Sequence, residues 1–527
     1  MQSSVLLFFA IAAIIGLALL AKRLKLPYPI VFVIGGSLLA LIPHAPRIEL
    51  NPNWVFLIIL PLLLYAGGWG TDWKQFQDNI RPIGFLAIGL VLITTGVVAV
   101  AVHALIPAIG WPSAFVLGAI VSPPDAVAAG AVFARFSVPR RIIAILEGEG
   151  LVNDATALVI YKFAVAAVVS GMFSIWQAGT AFIIVAVGGV LFGLAFGYLG
   201  KAIIFAIDRA NLADALIDNL IFLAFPYAVY LSADALGLSG VLATVTAGIF
   251  VSRTASHRID PDSRLTSGAV WDLLIFLFNG LVFLLIGLQV RSIVQSPTFL
   301  AREWWIGALI SLVVIVVRIA WVFPFTYGPR WLSIRVRTHD PYPPWRYVAI
   351  IAWSGMRGIV SLAAALALPL RDAAGHAFPG RSEILFITFC VIFATLVFQG
   401  LSLIPLIKWL GIEGGDLQQE EIEARVAAIR AGVERLHKLE DKFDSEEEWE
   451  IQGRLVAESE YRIAHLLGHA GHGGEPQGEV QIDHRLQRES LMAERHQLLH
   501  LRDTGEIPDE IFHRLQYDLD LAEARLH

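Results

Sequence analysis

The run LLFFAIAAIIGLALLA, residues 6–21, contains no charged or amide side chain, and runs like it recur along most of the chain. In hydrocarbon every backbone N–H and C=O must find a partner inside the protein, which leaves only helices and closed strand barrels as spanning structures. Barrel strands alternate in polarity over about ten residues. These runs are continuously apolar and approach the ~20 residues that a helix needs to cross a hydrocarbon core of ~30 Å. The sequence therefore predicts an all-α polytopic membrane protein. About thirteen candidate spans are centred near residues 12, 35, 61, 95, 122, 156, 190, 224, 246, 278, 315, 358 and 396. Only 16% of residues are charged, against about 25% in soluble domains. The first run passes straight into KRLK without a small-residue cleavage site, so it reads as a span rather than a removed signal.

Charge divides the chain in two. From Gly411 onward lie 27 of the 45 acidic residues but only 13 of the 39 basic ones. Residues 1–411 thus read as a transmembrane domain and 412–527 as an acidic helical tail. Loops after odd-numbered runs carry most of the membrane part's lysines and arginines, among them Lys22, Arg23, Lys74, Arg81, Arg140, Arg141, Lys201, Arg253, Arg330 and Arg337. Loops after even-numbered runs carry only Arg47, Arg291, Arg302, Arg371 and Arg381. Basic loops stay on the cytoplasmic side, so the expectation is a cell-membrane protein with its N-terminus outside and its tail in the cytoplasm. In the tail, helical periodicity is clear in EEIEARVAAIRAGVERLHKLEDKF and RESLMAERHQLLHLRD. Between them GHAGHGGEPQG reads as a flexible linker, because His469 and His472 lack a second ligand pair at metal-site spacing. Cys390 is the only cysteine and sits in an apolar run, so there is no disulfide framework. No cofactor motif or phosphate loop is present, and nothing suggests an enzyme or a nucleic-acid partner.

Ionisable residues inside spans cost at least about 2.5–3.5 kcal/mol and mark function by default. At 1.5 Å per helical residue, Glu147 lies about 9 Å and Asp154 about 20 Å into the sixth run. Asp125 lies about 21 Å into the fifth run from the opposite face, and Arg357 about 16 Å into the twelfth. Asp125, Asp154 and Arg357 thus converge on mid-membrane. Pro123 and Pro124 disfavour a continuous helix just before Asp125, and Gly355 and Gly358 weaken the twelfth run around Arg357. Broken helices at this depth line cavities and build ion sites in transporters. Glu149 and Asn153 share one face of the sixth helix, whereas Glu147, Gly150 and Asp154 fall on another. One face suits a structural Glu149–Arg357 pair. The other presents Asp154 to an aqueous cavity, where a carboxylate accepts either a proton or a hard cation.

Four segments, SPPDAVA, GEGLVNDA, YLSADALGLSGVLATVTAG and GMRGIVSLA, occur in that order between residues 122 and 364. Together they resemble the monovalent cation/proton antiporters of the NhaP and sodium/proton exchanger group, bacterial branch. The resemblance implies inverted repeats, with the broken fifth and twelfth helices crossing, and a homodimer working by alternating access. It implies that Asp154 carries proton and cation, Na⁺ or K⁺, beside Asn153, and that Asp125 completes the site. It also implies that Glu149 bridges Asn153 and Arg357, and that an Asn-Asp pair accompanies electroneutral exchange. The family often has Thr at the position of Pro124 and Ser at that of Gly150. Without those hydroxyls, Na⁺ would need backbone carbonyls, water or the Ser122 hydroxyl. Asp218 and Glu147 lie nearer the cytoplasmic face, as funnel residues or solvated ends.

The expected function is secondary exchange of H⁺ for Na⁺, with K⁺ or Li⁺ as alternatives, in pH and cation homeostasis. A cation channel and a membrane-embedded pH or ion sensor are the competing classes. Channels usually build their filters from symmetric loops, whereas here charges from three helices meet at broken segments. A sensor would need an output domain, and the tail has no recognisable one.

Overall fold

The computed structural model describes residues 2–527 apart from 43–50, 137, 172–174, 211, 213, 256, 257, 260, 292–300, 372–374, 413–416, 441–444, 470–476, 505–510, 513, 514, 517, 518, 521 and 523–527. Its described regular structure is helical. In chain order the helices are α1 (Gln2–Leu24), α2 (Tyr28–Leu41), α3 (Pro52–Gly70), α4 (Trp73–Asp78), α5 (Ile80–Leu105), α6 (Trp111–Val121) and α7 (Ala126–Phe133). There follow α8 (Arg140–Ser170), α9 (Ile175–Arg209), α10 (Ala215–Ala235), α11 (Gly240–Ala255), α12 (Pro261–Leu288) and α13 (Ala301–Leu332). The chain continues with α14 (Ile334–His339), α15 (Trp345–Trp353), α16 (Ile359–Leu366), α17 (Arg381–Leu410), α18 (Leu417–His437), α19 (Glu446–His469) and α20 (Gln477–Asp503). Among the described residues nine helical spans are long and apolar enough to cross a membrane, and α2 and α11 are shorter apolar helices.

Two compact units divide the chain, Met1–Gly414 and Gly415–His527. Within the first, packing gathers the helices into two bundles. One comprises α1, α2, α3, α9, α10, α11 and α12, held chiefly by α9 against α11, α12 against α2 and α11 against α3. The other comprises α5, α6, α7, α8, α13, α15, α16 and α17, held by α5 and α8 against α6 and by α13 against α15 and α17. Lipid is as apolar as leucine, so helices in a bilayer associate through close backbone approach rather than hydrophobic burial. Gly36 and Gly287 bring α2 and α12 together in this way; a Cβ on either would collide with a carbonyl oxygen of the other helix.

Helix ends follow local chemistry. Asp214 caps α10, accepting from the amides of Leu216 at 2.9 Å and Ile217 at 3.1 Å. α8 stops at Gly171, whose left-handed φ of 68° closes the last turn. The second unit holds α18, α19 and α20, with α18 packed on α19. α19 falls in a stretch the sequence leaves between two periodic segments. Its run of Glu446, Glu447 and Glu448 forms the first helical turn, where negative charge favours the helix dipole. Most of the expected GHAGHGGEPQG linker, with His472, lies outside the described residues.

Candidate functional site

Pro123 and Pro124 have no amide hydrogens, so α6 ends at Val121 and the next helix begins only at Ala126. Asp125 caps that restart, its Oδ1 accepting from the Val127 amide at 2.9 Å. A second break separates α15 from α16, across residues 354–358. The two breaks touch. The Asp125 amide donates to the Met356 carbonyl at 2.6 Å. The Asp125 carboxylate lies so close against Gly358 that a Cβ there would collide with Oδ2.

Breaking a buried helix leaves carbonyls without intrahelical donors, and long side chains supply the replacements. Arg357, fully buried, donates through Nε to Val121 O at 3.0 Å, through Nη2 to Ser122 O at 3.3 Å and through Nη1 to Gly355 O. Its own amide donates to Thr395 Oγ1 at 3.0 Å. Gln399 Nε2 serves Trp353 O at 3.1 Å, and Asn153 Nδ2 serves Pro124 O at 3.0 Å. The Oδ1 of Asn153, also buried, has no partner.

Glu149 does not pair with Arg357. Its carboxylate is held instead by Arg318 of α13, Nη1 to Oε1 at 2.5 Å and Nη2 to Oε2 at 2.8 Å. Both side chains are essentially inaccessible, at 0% and 1% exposure. Arg318 also donates through Nε and Nη2 to Ile351 O, at 3.2 and 3.0 Å, and so ties α8 to α15 as well. The planar guanidinium fork matches a carboxylate edge to edge. Arg357 is unavailable because the breaks have claimed its donors.

A cavity of ≈ 370 Å³ opens between the two bundles, lined by α3 and α12 on one side and by the Pro123–Asp125 break, α7, α8 and α16 on the other. Asp125, Asp154 and Glu147 line it, with Gly150 one turn before Asp154. Asp125 and Asp154 are half-buried, whereas Glu147 is exposed. Asn153, Glu149 and Arg357 stand behind this wall. Ser122 lies off the cavity; its hydroxyl donates to Ala119 O at 3.0 Å and keeps to its own helix. Asp218 also lies away from it, accepting from Ser263 Oγ at 2.7 Å beside Asp208 and Arg258. The first turn of α10 directs it towards α12.

Three polar residues escaped the sequence reading. Arg318 interrupts SLVVIVVRIAW in mid-span, the same signal that marks Asp154. Asn279 and Ser361 line the cavity from α12 and α16, but neutral side chains in apolar helices carry no comparable signal.

Residues 9–409 match the family model described as the transmembrane sodium/hydrogen exchanger. The chain is 32% identical to an uncharacterised Na⁺/H⁺ exchanger, YjcE, of Escherichia coli, over 99% of this chain and 98% of that one. It is 30% identical to a sodium, potassium, lithium and rubidium/H⁺ antiporter of Bacillus subtilis, over 93% of this chain and 73% of that one. Its fold resembles the sodium proton antiporter MjNhaP1 of Methanocaldococcus jannaschii, with a TM-score of 0.59 and 20% identity over 78% of this chain and 100% of that one. These motifs, this arrangement of broken helices and these matches lead to one assignment: the chain belongs to the sodium/hydrogen exchanger family, the monovalent cation/proton antiporters.

Proposed function

We propose that this protein exchanges H⁺ for a monovalent cation, Na⁺ first and K⁺ or Li⁺ as alternatives, by alternating access and without net charge movement. The observation that carries the reading is the shared cavity of Asp125 and Asp154, two carboxylates brought by different helices to a break between half-helices. A carboxylate in such a place binds either a proton or a hard cation, and competition between the two is sufficient to couple their movements. Cation binding from one side displaces a proton, and protonation on the other side displaces the cation. Asp154 is the carrier, Asp125 completes the charged set, and Glu147 draws cations towards them. The antiporter activity named for the Bacillus subtilis relative supports this reading and leaves more than one cation in contention.

The positive-inside rule supports an external N-terminus and a cytoplasmic tail. In this reading 1–411 is the exchanger domain, 412–527 is a separate cytoplasmic domain, and the protein works as a homodimer in the cell membrane. The test is reconstitution into liposomes with an imposed pH gradient and a pH-sensitive dye. Na⁺, K⁺ or Li⁺ added in turn should collapse the gradient for the true substrate, and Asp154→Asn should abolish the response. Retained exchange in that variant would remove Asp154 from the mechanism, and conductance far above transporter turnover would favour a channel.

A further inference from the structure

Ser361 lines the cavity from the first turn of α16, in the same bundle as Asp125 and Asp154. It is 1% exposed, and its hydroxyl has no hydrogen-bond partner. Buried polar groups are nearly always paired, because an unpaired one loses hydration with nothing in exchange. Alanine would pack here without that penalty, so the hydroxyl calls for a partner that comes and goes. Its oxygen has two acceptor lone pairs and turns about a single torsion.

Several other neutral oxygens at the break are engaged, and the unpartnered Asn153 Oδ1 lies behind the cavity wall rather than on it. Arg357 occupies the carbonyls of Val121 and Ser122, Asn153 that of Pro124, and the Ser122 hydroxyl keeps to Ala119. Asn279 also lines the cavity, but from α12 in the opposite bundle. Ser361 would stay on the same cavity wall as both carboxylates if the bundles move apart, and Asn279 would not. Hard cations take several oxygen ligands, and two carboxylates alone do not complete such a shell.

We propose that the Ser361 hydroxyl is a direct ligand of the transported monovalent cation, the neutral member of a set whose charged members are Asp125 and Asp154. This rests on the exchange reading above and deepens it. The full-length protein in liposomes is titrated with Na⁺, K⁺ and Li⁺ against a fixed pH gradient, and each variant is also melted in detergent. Ser361→Ala should raise the half-maximal cation concentration roughly tenfold, as the loss of one ligand contact implies, while melting no lower than the wild type. Ser361→Thr, which keeps the hydroxyl, should stay near the wild-type concentration. An unchanged half-maximal concentration in Ser361→Ala overturns the proposal. So does an equal rise in Ser361→Thr, or a lower melting temperature in Ser361→Ala, since either assigns the hydroxyl to packing. Failure of the wild-type protein to exchange any of the three cations is read before any variant, and overturns the exchange reading along with the ligand.

Discussion

Glu149 and Arg318 are one ionic unit, with every carboxylate oxygen matched by a guanidinium nitrogen and no access to water. Removing one member leaves the other's charge buried and uncompensated, which costs roughly 3–5 kcal/mol, far more than any exposed pair is worth. Glu149→Gln should therefore lower thermal stability strongly. The double variant Glu149→Gln with Arg318→Met should recover much of the loss, as read by melting in detergent, and additive damage would contradict the pairing. The sequence made Glu149 legible as a structural carboxylate but named Arg357 as its partner. Depth along a helix can be counted from residue numbers, whereas azimuth across a bundle depends on which helices become neighbours. Arg318 was visible by the same rule of buried charge; what could not be read was that Arg357 is already spent on main-chain carbonyls.

At the scale of elements, the α6–α7 break was readable from two consecutive prolines, and the α15–α16 break from paired glycines. What could not be read was why Gly150 stands where the family often has serine. A Cβ at 150 would lie 2.5 Å from the Ala126 Cβ, in the first turn of α7. α8 and the restarted half-helix are therefore packed too closely for any side chain, and the glycine is imposed by that contact. Overpacking a filled interior costs about 1–3 kcal/mol. Gly150→Ser alone should reduce exchange and stability together. Gly150→Ser with Ala126→Gly makes the missing room and should restore both, measured as dye-reported exchange and melting temperature; failure of the second change to rescue the first would show that the Ala126 contact is not the constraint. By contrast, Gly96 has nothing within 4 Å of its would-be Cβ, and Gly96→Ala serves as the neutral comparison.

For the whole molecule, the sequence supplied spans but not neighbours, so the gathering of helices into two bundles had no local signature beyond the family resemblance. The cavity between the bundles is where relative motion would matter. Gly67 on α3 and Leu151 on α8 face each other across it, a Cβ on Gly67 standing 3.0 Å from Leu151 Cδ2. Paired cysteines at 67 and 151, in a Cys390→Ala background, should be bridgeable by a short bifunctional thiol reagent. Bridging should stop exchange and reduction should restore it; undiminished exchange in the bridged protein would exclude movement between these bundles.

The inventory of charges around the two breaks, two arginines against three carboxylates, bears on stoichiometry. Glu149 and Arg318 cancel one another, and Glu147 is solvated, so the interior retains one fixed positive charge on Arg357 and two negative charges on Asp125 and Asp154. Pairing Glu149 with Arg357 instead would only have left Arg318 as the unpaired cation, so the sum does not depend on which arginine Glu149 holds. With both aspartates ionised, the deficit is one. A single proton closes it, and so does a single sodium ion. That sum suits the electroneutral exchange proposed above, in which each crossing of the membrane would carry the same total charge whichever ion is aboard.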